Sequence, residues 1–263
     1  MKKLLHYLFS LLGKKIIDIN NINEIQNLIN KLKPKKSEFN LIRIGSSADG
    51  GYLLPDDMEG IKYCFSPGVS DNSSFELELA KKYNIKSFLC DASVDKMPSQ
   101  NKNLNFLKKH LGVSNDSKFL TLDEWVKNTD ISNKSILQMD IEGSEYPVIL
   151  NTSSKVLSNF RIIIIEFHDL DLIFNNFGFL TIDSTFRKIL KNFIPVHLHP
   201  NNCCGYFQYN EIKVPKVIEF TFINKSRVNL DKIIPISDPY HVLDQDNTVN
   251  KKLILPDNWI NFF

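Results

Sequence analysis

Glycine is scarce in this chain, with ten in 263 residues. No G-x-G-x-x-G occurs among them, and without those glycines a backbone turn cannot close around a pyrophosphate as dinucleotide folds require. Cysteine is scarce too. Cys203 and Cys204 are adjacent, so they lack the spaced Cys/His pairs of a zinc knuckle. Cys64 and Cys90 sit in apolar runs, where cysteine acts as a small hydrophobe. The expectation is four reduced thiols in a cytoplasmic protein. An excess of one charge is also missing: 32 Lys and Arg face 30 Asp and Glu, a net +2. With no basic surplus to neutralise phosphates, a nucleic-acid partner is not expected. Long apolar runs are absent as well. Near the N-terminus, Lys2-Lys3 precede an apolar stretch from Leu4 to Leu12, and Lys14-Lys15 follow it. The stretch is too short to span a bilayer and has no small-residue cleavage site, so no transmembrane segment is expected. It reads as an amphipathic helix over residues 1–14 that packs on the body, packs on another subunit, or makes peripheral contact with an anionic membrane face.

What is present is an ordinary globular composition: 43% hydrophobic residues, with Phe alone occurring 19 times. That excludes disorder and suffices for one large core. Residues 1–39 read as a helical N-terminal extension, because Ile22, Ile25, Leu28, Ile29 and Leu32 recur at helical spacing and Pro34 stops the pattern. Residues 40–263 then form the main domain. Strands are expected at Lys62–Val69, Lys86–Ala92, Lys118–Leu122, Ser135–Ile141, Arg161–Phe167, Pro195–His199 and Val217–Ile223. Helices are expected at Ser73–Tyr83, Asn103–Leu111, Leu122–Lys127 and Thr181–Lys191. Runs as apolar as Arg161–Phe167 suit a sheet buried on both faces. The alternation predicts an α/β fold with a doubly wound seven-stranded sheet whose last strand is antiparallel. Its ligand crevice lies at the C-terminal ends of the strands.

Polar residues gather at those ends. The first strand runs into Gly68, Val69 and Ser70 before a helix, where a glycine lets a ligand approach the backbone and a helix N-terminus offers free amides. Asp91 closes the second strand, where the spacing from Gly68 matches that of a ribose-holding acid; capping its own turn is the plainer role. The fourth strand ends in Asp140, Glu142 and Glu145, with Gly143 permitting a sharp turn. Asp140 and Glu142 are two apart and are expected on one side of the strand. His168 follows the fifth strand, and His197 and His199 share a face of the sixth. Histidines at neighbouring strand ends, facing an acidic pair, point to a reaction centre.

These stretches resemble the FkbM-type family of S-adenosylmethionine-dependent methyltransferases. The matching segments are Arg43–Gly45, Asp49-Gly50-Gly51-Tyr52, Phe65–Glu76, Phe88–Asp91, Leu120–Trp125, Met139–Glu145 and Ile165–His168. Asp140-Ile141-Glu142-Gly143-Ser144-Glu145 is the most specific of them. The first strand turn departs from the common pattern, since Ser66, Pro67, Gly68 and Val69 stand where an acid and several glycines are usual. The resemblance implies a Rossmann-like methyltransferase fold, S-adenosylmethionine as donor, and an O-methylated product. The acceptor it suggests is a sugar or nucleotide-activated sugar of capsule or lipopolysaccharide biosynthesis.

On this reading Gly68, Ser70, Asp91, Gly51, Tyr52 and Asp140 contact the cofactor, with Asp91 on the ribose. His168 is the first candidate for general base, on the premise of a neutral imidazole near pH 7, and Asp140 is the second. A divalent metal of unassigned identity is left open, with Asp140, Glu142, His168 and His199 as its ligands. Methylation of a phosphate or non-sugar metabolite, a nicotinamide-dependent sugar enzyme and a non-catalytic scaffold remain as rivals. The C-terminal stretch from Ser226 to Phe263 is expected to fold back on the body or to make a subunit contact in a homo-oligomer.

Overall fold

In the computed structural model all residues are described except 1, 14, 15, 17, 98, 237, 238 and 261–263, and the side chains of 2–6. Helix α1 covers Lys2–Leu11. Helix α2, Ile22–Leu32, begins where the Asn21 side chain accepts from the Asn23 amide. Its Ile25, Leu28, Ile29 and Leu32 are all buried in the same core as the sheet, and each such side chain contributes about 1.5–3 kcal/mol. By contrast, Tyr7, Leu8, Phe9, Leu11 and Leu12 of and just after α1 are exposed. Packing of that segment on the body is therefore not what the described residues show.

A hairpin follows, β1 (Leu41–Gly45) with β2 (Gly51–Pro55). The main sheet is built from β3 (Tyr63–Pro67), β4 (Lys86–Cys90), β5 (Leu104–Leu107), β6 (Ser135–Met139), β7 (Ile162–Phe167), β8 (Phe193–Pro200) and β9 (Ile218–Asn224). Between them lie α3 (Ser74–Tyr83), α4 (Glu145–Asn151) and α5 (Asn176–Leu190). Across the sheet the order is β5-β4-β3-β6-β7-β9-β8. The neighbours from β5 to β7 are parallel, and β9 runs antiparallel between β7 and β8. This is a Rossmann-like doubly wound sheet of seven strands with the last one reversed. The order turns back between β3 and β6, which makes that junction the switch point where such sheets bind ligands. Every residue of β6, β7, β8 and β9 is buried, as a sheet covered on both faces demands.

Three expectations are corrected. The third sheet strand is Leu104–Leu107, where a helix was expected over Asn103–Leu111. Leu104 and Phe106 pack with Val69, Ala80 and Leu89, so tertiary packing overrides the helical spacing of Leu104, Leu107 and Leu111. The segment expected as a strand over Lys118–Leu122 is reduced to Phe119–Leu120, which pairs with His110–Leu111 outside the main sheet. Cys203 and Cys204 form a disulfide, because both sit in an exposed surface turn that leaves the adjacent thiols free to meet; Cys64 and Cys90 are free and buried, as expected.

The described part of the C-terminal stretch does fold back. Trp259 is wholly buried in the main core and donates its indole N–H to the Lys213 carbonyl. Phe262 and Phe263 lie outside the described residues. No helix among the described residues is long and apolar enough to cross a membrane.

Candidate active site

The C-terminal ends of β3, β4 and β6 converge because three backbone amides tie them: Gly68 N–H to Cys90 O, Ser70 N–H to the Asp91 side-chain carboxylate, and Asp140 N–H to Pro67 O. Gly68 makes the junction possible. Its φ is +86°, and a Cβ there would stand 1.5 Å from the Asp140 carbonyl oxygen. The glycine thus admits the Asp140 backbone, a different close approach from the ligand contact expected of it. Gly51 likewise serves the hairpin, since its Cβ would meet Ser46 O at 2.0 Å.

A cavity of about 580 Å³ opens at this junction. Of the residues expected at the cofactor, Gly68, Ser70, Asp91, Tyr52 and Asp140 line it, joined by Glu142, while Gly51 stays behind Gly50. Asp49, Asp71, Glu76, His110, Leu111, Phe119 and Gln138 also line it. Six carboxylates therefore face one cavity, and no Lys or Arg is among the described residues that line it. Asp91 accepts from Ser70 N–H on one oxygen and from the Ser93 N–H and hydroxyl on the other. Burial alone would raise its pKa, but those bonds outweigh burial and lower it, keeping it ionised with one lone-pair position unfilled.

Beside the cavity stands His168. Its Nδ1 lies 3.1 Å from Glu145 Oε1, and Glu145, fully buried, also accepts from the Ile141 and Gly143 amides. Its Nε2 lies 3.4 Å from Glu166, 3.5 Å from Glu142 and 3.8 Å from Asp140. Burial works against a charged ring here, yet the Glu145 hydrogen bond and the charges of Glu145, Glu166 and Asp140 raise His168 to about 9. That direction favours the protonated ring and runs against the premise of a neutral imidazole near pH 7. Asp140 is raised to about 8, first by burial and then by the Glu166 charge.

Asp140 and Glu142 do come together, but not by strand alternation. β6 ends at Met139, and Glu142 adopts φ +54° in the following turn. Ligand atoms of Asp140, Glu142 and His168 all lie within 4.8 Å of one another. His199 is outside that group. It sits opposite Glu219 in the β8–β9 register, and both it and His197 reach Asp244, at 3.7 and 2.9 Å. Placement two strands beyond β7 is the physical reason: β9 separates β8 from β7.

Sequence reasoning missed the roles of Glu145, Glu166 and Glu76. Glu166 and His168 were adjacent alternate positions, a signal that was available. Glu76 carried none, because only the return of α3 against β3 brings it to Ser66.

Residues 68–193 match the model of the methyltransferase FkbM domain. The matched stretch runs from the turn after β3 to the first residue of β8 and contains every residue of the His168 group. The match supports an S-adenosylmethionine-dependent methyltransferase. No curated protein matches the chain. Among solved structures, the chain is similar to M. capricolum TrmK in complex with the cofactor product S-adenosyl-homocysteine, at 12% identity over 62% of each chain with a TM-score of 0.32. It is also similar to precorrin-6y C5,15-methyltransferase from Geobacter metallireducens GS-15, at 11% identity over 63% of this chain and 81% of that one, TM-score 0.34. A third is spermidine synthase from Thermotoga maritima, at 9% identity over 81% and 82%, TM-score 0.34. The chain spans 62% of the length of the first.

Proposed function

We propose that this chain is an S-adenosylmethionine-dependent O-methyltransferase acting on a hydroxyl of a sugar or nucleotide-activated sugar, of the kind assembled into capsule or lipopolysaccharide. The observation that carries the donor assignment is the acidic lining of the switch-point cavity. A ligand bearing an ammonium and a sulfonium is attracted there, whereas the pyrophosphate of a nicotinamide dinucleotide is repelled. When bound, the donor supplies a methyl group on a positively charged sulfur, open to in-line attack by an acceptor oxygen.

The chain's own residues divide the work. Asp91 holds a ribose hydroxyl with its remaining lone pair, and the Gly68–Ser70 turn, pinned by Asp91, sets the depth of the pocket. Tyr52 closes the side next to Gln138, whose Nε2 donates to its hydroxyl at 3.1 Å. On the acceptor side, Glu145 fixes the His168 ring so that Nε2 faces Asp140, Glu142 and Glu166. The catalytic set is His168, Asp140 and Glu142; His199 is removed from it by its place beside Asp244.

A divalent cation fits this set, because Asp140 Oδ1 is buried without a hydrogen-bond partner and two carboxylates with an imidazole suit Mg, Mn or Zn. Such an ion, held by Asp140, Glu142 and His168, would make a sugar hydroxyl more acidic.

Mass spectrometry of nucleotide-sugars incubated with protein and donor tests the proposal. A product heavier by one methyl, made by wild type and lost in His168→Gln, supports it. Methyl transfer only to amines removes the O-specific reading, transfer only to phosphate oxygens removes the hydroxyl acceptor, and transfer that survives exhaustive chelation removes the cation.

The same proposal places the protein in the cytoplasm, where the exposed Cys203–Cys204 disulfide would be reduced. It treats residues 1–39 as an extension of the 40–263 catalytic domain. The exposed apolar residues of α1, in a segment with four lysines and no acid before Asp18, favour contact with an anionic membrane face. Flotation with phosphatidylglycerol vesicles, lost on deletion of residues 2–13, tests that contact. A concentration-dependent dimer abolished by the same deletion would instead assign the helix to a subunit interface.

A further inference from the structure

Glu76 lies in the first turn of α3 and lines the cavity, yet none of the roles above uses it. Its residue exposure is 2%. One carboxylate oxygen, Oε1, meets the Ser66 hydroxyl. That hydroxyl also contacts Gln138 Oε1, and its single proton cannot serve both acceptors at once. The other oxygen, Oε2, is buried with no hydrogen-bond partner. A buried carboxylate so short of donors is costly unless a proton or a cation completes it. Burial accordingly raises Glu76 to about 7, against the Ser66 hydrogen bond that pulls it down. With no Lys or Arg among the described residues lining the cavity, the cation has to arrive with the ligand.

We propose that Glu76 receives the α-ammonium of the donor's amino-acid end, an assignment that rests on the donor reading above. An ammonium brings three N–H donors to the under-satisfied Glu76 carboxylate, which a sulfonium, having none, cannot do. The other lining carboxylates are less suited. Asp91 already accepts three hydrogen bonds, Asp140 faces His168, and Asp49, Asp71 and Glu142 are exposed or partly so. Glu76 thereby sets the methionine end of the pocket and Asp91 the ribose end, with the β3 turn between them.

The test is calorimetric titration of wild type and Glu76→Gln with two ligands. S-adenosylhomocysteine has the amino-acid end; 5′-methylthioadenosine keeps the nucleoside and thioether but lacks it. The expected result is a loss of about tenfold to a hundredfold in S-adenosylhomocysteine affinity in Glu76→Gln, with 5′-methylthioadenosine binding unchanged. Equal weakening of both ligands, or of neither, overturns the assignment and leaves Glu76 as a tie between β3 and α3. Wild type that binds neither ligand contradicts the donor reading itself and the assignment with it. Glu76→Asp, which keeps the charge on a shorter stem, guards against a folding defect in the amide variant: it should lose affinity for S-adenosylhomocysteine alone, and equal or no loss for both ligands again overturns the assignment.

Discussion

Four carboxylates surround His168 and favour its protonated form, and raised carboxyl groups extend across the neighbouring strands. Glu219 on β9, wholly buried, is raised to about 8 chiefly by burial, with the Asn247 hydrogen bond pulling it down. Glu76 is raised to about 7 in the same way. For both, the folded pKa exceeds the unfolded value, so the native protein retains protons that the unfolded chain has released. The stability each contributes is full below about pH 4.5 and is lost as pH rises through about 7 to 8. Glu219→Gln, which can still accept from Asn247, should flatten that decline; thermal unfolding between those limits measures it, and an unchanged slope would clear Glu219. Asp91 has the opposite sign, being held ionised by Ser70 and Ser93. Asp91→Ala should weaken S-adenosylhomocysteine binding by about tenfold or more in calorimetry. Asp91 and Asp140 were legible as residues of the cavity because strand-end position alone selects them. The protonation of His168 was not, since it depends on Glu145 and Glu166 arriving from separate elements.

At the scale of elements, the continuous apolar runs of β6 and β7 made their burial plain, and the Asn21-led periodicity of α2 was equally clear. The edge strand β5 was not. Only Leu104 of its four residues is buried, and Leu104, Leu107 and Leu111 fall at helical intervals, so the sequence carries two patterns and packing against Val69 and Leu89 decides between them. The β3–α3 turn depends on Gly68 more than the sequence suggested. Gly68→Ala forces a Cβ onto the Asp140 carbonyl at a positive φ, and should cost about 2–4 kcal/mol in denaturant unfolding. Because the same turn places Ser70 and Asp140, donor affinity should fall with it; wild-type stability and affinity would show that the turn relaxes freely.

Taken as a whole, the molecule binds its two ends in different ways. The C-terminal segment is strapped to the body: Asn202 donates to the Thr248 and Asn250 carbonyls, Asn247 donates to Glu219, and Trp259 fills the core. Trp259→Ala should cost about 3–5 kcal/mol, readable as a shift in the denaturant midpoint. Removing residues 2–13 should leave that midpoint within about 0.5 kcal/mol of wild type, because Tyr7, Leu8, Phe9, Leu11 and Leu12 are exposed. The strand order, with the reversal between β3 and β6, puts the acidic cavity at the one edge where parallel strands present their C-terminal ends together.

The central claim is that this cavity takes a cationic sulfonium donor. Thermal unfolding of the purified protein with S-adenosylhomocysteine, S-adenosylmethionine or NAD at equal concentrations tests it most directly. The account predicts a raised midpoint with the first two and none with NAD. Stabilisation by NAD alone, or by no ligand of the three, would contradict it.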